Sequence, residues 1–297
     1  MNDQSNPIDL TQFMDDDQKK LYRMFNGMLP SEAAYMRGDK RPVPTSVPHT
    51  TSKYLNSPLF RDAFTTMALR RAGDDVSVTY DIPEMSRGIA DVTDWAQNAA
   101  ILDAEKKRLP EFAAWLDARK PIDFDTDRLA KGAPGTLAER IHQFATASGM
   151  EMKFVNNQAA TTDMEYLMQM VGHTHDLSHI ISGFGPNMAG EQANALMALT
   201  ACYRYFSPEA AQVINFTTGF VSSILLPRTF FNYPCAVDIV LEATRRGIEA
   251  GQGLKIPVFM IDYEHYLDWQ MDDIAADLGF VRGPEEEWAY TEQLCAG

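Results

Sequence analysis

Two histidines four residues apart, with an aspartate beside the first, are the residues of this chain best suited to chemistry: His175-Asp176-Leu177-Ser178-His179. On a helix turning about 100° per residue, His179 lies roughly 40° and Asp176 about 100° round from His175, so two imidazoles and a carboxylate share one face. Such a group can converge on a cation. Tyr166, Met170, Leu177 and Ile181 gather on the opposite side, with Met168 and Gly172 above the cluster, which makes the helix apolar almost all round. A helix of that kind is buried, and buried imidazoles and carboxylates need partners or a metal to offset their desolvation.

A fourth group stands beyond the next turn. Glu191 follows His179 by twelve positions, across Gly183 to Pro186, in the first turns of a helix that should return antiparallel to the first. Its face carries Ala195, Ala198 and Cys202, small residues that predict a close approach of these two helices. The predicted site is therefore His175, Asp176, His179 and Glu191 on a helical hairpin. Asp176 is either a ligand or a group that orients an imidazole from behind. Imidazole with carboxylate suits a divalent metal, zinc first, with iron, manganese or magnesium as further candidates.

The elements that must position these groups carry their own signals. Thr162 followed three residues later by Glu165 has the spacing of a capping box and starts a helix running to about Ile181. Gly183 to Pro186 stops it; a second helix runs from about Asn187 to Tyr205, and Ser207-Pro208 opens a third. Further helices fit Ala236 to Ala250 and Glu264 to Leu278, with Glu264 serving the macrodipole at a helix start. The charge-free stretch from Ala210 to Pro227 contains Gln212, Asn215 and several hydroxyl residues, so it reads as a buried helix rather than a membrane span. The predicted fold class is all-α, a multi-helix bundle built around the metal-binding hairpin. Its domain covers residues 84–282, with an N-terminal extension over 1–83 and a C-terminal tail over 283–297. Within the extension a short helix fits Gln18 to Met28, residues 37–52 read as a proline-rich loop, and Val76 to Ile82 alternates weakly like a strand.

Charge and composition exclude several classes. With 41 acidic and 26 basic side chains the net charge is −15, and the basic residues cluster in nothing longer than twos and threes. That excludes the clustered cationic footprint of a nucleic-acid binder and the polybasic patch that docks on anionic lipid. Cys202, Cys235 and Cys295 have no close spacing, so neither a disulfide framework nor a zinc ribbon is expected. Met1 to Gln12 lacks a secretory pattern, which predicts a cytoplasmic location. No Gly-x-Gly-x-x-Gly fingerprint for a flavin or nicotinamide occurs.

The pattern His175-Asp176-x-x-His179, with Glu191 preceded by Gly190, resembles the signature of the coenzyme Q biosynthesis protein 4 family of the ubiquinone pathway. The flanks agree: Ala133-Pro134-Gly135-Thr136-Leu137, Phe144 and Ser148-Gly149 upstream, and Arg246-Gly247, Ile261-Asp262-Tyr263-Glu264 and Leu278-Gly279 downstream. The likeness spans roughly residues 84–280, departs at Ala133 where the family has Leu, and leaves the first 80 or so residues without a counterpart. It implies an all-helical fold, a divalent metal held by His175, Asp176, His179 and Glu191, and a cavity for an isoprenoid or prenylated aromatic lipid. It also implies a part in ubiquinone biosynthesis, in company with other ubiquinone-biosynthesis proteins. That part is either oxidative decarboxylation at ring carbon one, alongside a flavin partner, or a non-catalytic scaffold or lipid-presenting role. A homo-oligomer, peripheral at the inner face of the membrane through apolar surface, fits the same resemblance. A third reading, a His-Asp metal phosphohydrolase, would recruit His142 and Asp238 to His175-Asp176.

Overall fold

The computed structural model describes residues 14–26, 51–70, 82–148, 159–284 and 288, and among them the secondary structure is helical, with a single isolated bridge between Thr136 and Gln270. The fold is all-α. The chain divides into two compact units after Ser52. In the first, α1 (Asp16–Asn26) starts at a reciprocal cap, Gln18 N donating to Asp15 Oδ1 at 2.8 Å and Asp15 N to Gln18 Oε1 at 3.0 Å. This is the short helix predicted from Gln18, begun two residues earlier; Met28 lies outside the described residues, as does the predicted loop up to Thr50.

The second unit contains α2 (Lys53–Asn56), α3 (Pro58–Leu69), α4 (Ile82–Val92), α5 (Trp95–Arg108), α6 (Pro110–Ala118), α7 (Thr126–Leu129), α8 (Leu137–Ser148), α9 (Asp163–Ser182), α10 (Met188–Tyr205), α11 (Pro208–Ile214), α12 (Phe216–Asn232), α13 (Val237–Gly253) and α14 (Met271–Leu278). The boundary drawn from the sequence at residue 83 falls inside this unit. Phe60 and Phe64 of α3 pack edge-on against Phe220 of α12, at centroid distances of 5.3 and 5.4 Å. Of the strand predicted at Val76 to Ile82, Ile82 begins α4 and the remainder lies outside the described residues.

Helix α9 is the axis of the unit. Its capping box forms as its sequence requires, Glu165 N donating to Thr162 Oγ1 and Thr162 N to Glu165 Oε2, both at 3.1 Å. Asp163 in its first turn holds Lys106 of α5 at 2.5 Å and Arg119, beyond α6, at 2.9 Å. Tyr166, Leu167 and Met170 are buried with residues of α5, α6 and α11, whereas Leu177 and Ile181 are buried in a separate cluster with α8, α10, α13 and α14. Burial on every side explains why so few polar residues interrupt the helix; each fully buried Leu or Ile contributes about 1.5–3 kcal/mol.

Three expectations are corrected by the packing. Cys202 of α10 is buried with Tyr166, Leu167 and Met170 of α9, but the tightest approach of α10 is to α13 and uses residues other than those singled out: Cβ atoms added at Gly247 and Gly251 would collide with the carbonyls of Ala193 and Met197. The helix expected from Glu264 begins only at Met271, because the preceding backbone serves another element. The carbonyls of Trp269 and Leu267 accept the first amides of α8, Leu137 N at 3.1 Å and Ala138 N at 2.9 Å. Glu264 instead pairs with Lys120 at 3.0 Å. The single buried helix expected over Ala210 to Pro227 is two, α11 and α12, which meet at 76° around Asn215. The Asn215 side chain turns back to the Ala211 carbonyl at 2.9 Å, the local bond by which asparagine competes with helix continuation. No single helix among the described residues is long and apolar enough to cross a membrane.

Candidate metal centre

The site is assembled by the turn between α9 and α10. Gly183 closes α9 in the left-handed conformation, φ 69°, which only glycine adopts without cost. The chain then folds so tightly that a Cβ on Gly190 would collide with the Gly185 backbone. Asn187 caps α10 by accepting from Gly190 N at 2.9 Å. Glu191 thereby enters the first turn of α10 opposite the last turns of α9.

There the carboxylate meets both imidazoles. His175 Nε2 is 3.4 Å from Glu191 Oε2, and His179 Nε2 is 3.4 Å from Oε1. The two rings stand 4.8 Å apart between centroids at 73°. One donor atom from each of the three residues falls within 4.8 Å of the others. Two ligands about 2.0–2.1 Å from a tetrahedral ion are roughly 3.3 Å apart, so the His–Glu separations have the scale of a shared cation.

The other ring nitrogens are already engaged. His179 Nδ1 lies 2.6 Å from the Phe184 carbonyl, which can only accept, so Nδ1 carries a proton and Nε2 is the nitrogen turned toward Glu191. That Nε2 is sealed from solvent, close to a carboxylate oxygen, and has no hydrogen-bond partner. Without a proton on Nε2 these are two acceptors facing one another in a buried setting, which a cation between them, proton or metal, stabilises. His175 Nδ1 lies 3.1 Å from Asp176 Oδ1, placing the Asp176 carboxylate behind the His175 ring and outside the three-residue group. Burial disfavours a charged His175, yet its bonds to Asp176 and Glu191 outweigh this and raise its pKa to about 10. Burial likewise opposes the Glu191 charge, and the facing His175 and His179 overcome it, lowering the pKa to about 2. Proton and metal ion thus compete for the same pocket.

His179 is buried, while His175 is half-exposed and Glu191 a third exposed, so the cluster is closed on the protein side and open on the other. Three protein donors with an open side is the arrangement of metal sites that admit a further ligand. His142 on α8 and Asp238 on α13 are not members of the cluster. Missed from the sequence were the Phe184 carbonyl and the Gly185–Gly190 contact, although the glycines at 183, 185 and 190 marked a turn under close constraint. Farther along α10, Leu199 and Tyr203 help line a cavity of about 310 Å3 with Phe60, Phe64, Phe216 and Phe220. Leu199 is eight residues from Glu191, about 12 Å of helix rise.

No family model and no curated protein matches this sequence. Among solved structures, the chain is similar to the crystal structure of a proposed ubiquinone biosynthesis protein from Nostoc punctiforme PCC 73102. The two are 21% identical with a TM-score of 0.55, and the match covers 73% of this chain and 94% of that one. The likeness is one of fold.

Proposed function

We propose that this protein is a divalent-metal protein of ubiquinone biosynthesis that binds a prenylated aromatic lipid at the α9–α10 hairpin. The observation that carries the reading is the sealed Nε2 of His179 facing Glu191, a buried polar atom that a metal would satisfy. The resemblance of the His175-Asp176-x-x-His179…Glu191 pattern and the fold shared with the Nostoc protein support the pathway. The aromatic cavity beside α10 supports a ligand with an extended apolar part.

His175, His179 and Glu191 would hold the ion, and Asp176 would fix the His175 ring so that Nε2 points inward. When bound, zinc or another divalent ion supplies Lewis acidity toward a phenol or carboxylate oxygen entering from the open side. The buried wall formed by His179 and the turn excludes water from the inner half. Phe230 and Phe231, side by side and largely exposed at the end of α12, provide apolar surface for peripheral contact with a bilayer. The open coordination side favours a role at the reacting head group over a scaffold in which metal only ties the helices together.

The test is complementation of a strain lacking the gene, with ubiquinone measured by mass spectrometry and metal by elemental analysis of the purified protein. Wild type should restore ubiquinone and carry metal. His179→Ala and Glu191→Ala should do neither while remaining folded. Variants that restore ubiquinone without metal would overturn the reading.

A further inference from the structure

Helix α12 contains one charged residue in its seventeen, Arg228, within the run Leu225-Leu226-Pro227-Arg228-Thr229-Phe230-Phe231. Its position is unusual: Arg228 is only 4% exposed. Among the described residues its guanidinium has neither a carboxylate nor a hydrogen-bond partner; the side-chain contact at this residue is Asn232 Nδ2 donating to its backbone carbonyl at 3.2 Å. A guanidinium cannot discharge itself by losing its proton, and an unmatched buried charge is among the costliest things a fold can keep. The completely sealed, partnerless polar atoms among the described residues are His179 Nε2 and Gln192 Oε1. The Arg228 nitrogens are not among them, so they keep a narrow contact with solvent.

The location matters as much as the burial. Thr229, the next residue, donates from Oγ1 to Met188 Sδ at 3.5 Å. Met188 lies three residues before Glu191 on α10, about 4.5 Å of helix rise. Arg228 therefore leaves the backbone beside the end of α10 that carries the metal cluster. Pro227, immediately before it, removes the amide that would have bonded the Ser223 carbonyl and loosens the helix at this point.

We propose that Arg228 is an anion-binding residue, taking the carboxylate or phosphate of the ligand by the paired donors of its guanidinium. The identity of that ligand rests on the functional reading above; the existence of the anion site does not. An acidic head group supplies the counter-charge missing from the protein and holds the ligand by one end beside the first turn of α10.

Isothermal titration of the full-length protein with 4-hydroxybenzoate and, separately, with inorganic phosphate tests this. Wild type should bind at least one of them with a single site, and the stronger of the two distinguishes an aromatic carboxylate from a phosphate. Arg228→Met should weaken that binding at least tenfold without lowering the melting temperature of the ligand-free protein, since it removes an unmatched charge. Arg228→Lys, which keeps the charge and loses the fork, should weaken it less, and it decides the matter if Arg228→Met does not fold. Absence of binding to wild type, or unchanged affinity in the folded Arg228 variants, overturns the proposal. His179→Ala separates the two readings: it should lose metal and keep the anion. A protein that binds the anion but never metal defeats the metal reading alone, and one that binds metal but neither anion defeats this one alone.

Discussion

His179 and Glu191 confront each other across 3.4 Å, Nε2 to Oε1, while the opposite nitrogen of the same ring gives its proton to the Phe184 carbonyl 2.6 Å away. An imidazole so held has one nitrogen left to offer a metal and one direction in which to offer it. The purified protein is expected to carry about one equivalent of divalent metal, and His179→Ala or Glu191→Ala to fall to background by elemental analysis. Zinc at a hundredfold excess over its Kd should stabilise wild type by about 2.7 kcal/mol in thermal melts and leave both variants unmoved.

Asp176 provides a graded test. With its carboxylate 3.1 Å from His175 Nδ1, it orients that ring without joining the three-residue cluster. Asp176→Asn should weaken metal binding about 10–100-fold, the usual cost of losing a group that orients a ligand. Competition with a chromogenic chelator measures it, and complete loss would make Asp176 a direct ligand.

Gly190→Ala tests the turn. The added methyl would collide with the Gly185 backbone, and the turn has to open to admit it. Destabilisation of about 1–3 kcal/mol is expected from such overpacking, together with weaker metal binding, because the displaced turn carries the Phe184 carbonyl. Denaturant melts with and without zinc separate the two effects.

Acid should loosen the start of α9 first. Bonds from Lys106 and Arg119, working against burial, hold the Asp163 carboxyl below its usual range. Burial would raise Glu105, but Arg108 and the Ser207 amide bring it below its usual value as well. A depressed carboxylate contributes stability that is complete above its unfolded pKa, near 4, and is lost as the pH falls toward the folded one. The contribution of these two carboxylates should hold between pH 7 and 5 and be lost below about 4, read as the difference in melting temperature between wild type and Asp163→Asn. Asp163→Asn should flatten part of that loss and cost about 1–3 kcal/mol at neutral pH.

What the sequence disclosed and what it hid follow a physical division. The capping box at Thr162, the stop at Gly183 and the start at Pro208 are local events decided by a few neighbouring residues, and each stands where its residues put it. The convergence of His175, His179 and Glu191 was legible for a similar reason, since one helix and one short turn bring them together. Partners distant in the chain were not legible. Ala195, Ala198 and Cys202 announced a close neighbour for α10, but nothing in them said that its tightest contact would be Ala193 against Gly247 of α13. Residues 264–270 have helical composition and are turned instead by a demand from α8, 130 residues upstream, for carbonyls to receive its first amides. Arg228 could be seen as a lone charge in an apolar run, but its burial emerges only when α12 is packed.

Arg282, Gly283 and Trp288 fasten the segment after α14 to the helix that bears the histidines and to its turn. Arg282 donates to the Ile181 carbonyl at 3.1 Å, Gly283 N to the Ser182 carbonyl at 2.6 Å, and Trp288 stacks on Phe184 at 5.9 Å. Those carbonyls belong to the last turn of α9, immediately after His179, and Phe184 is the residue whose oxygen fixes the ring. A variant lacking the chain from Arg282 onward would therefore lose the bonds that brace the turn behind the imidazole itself.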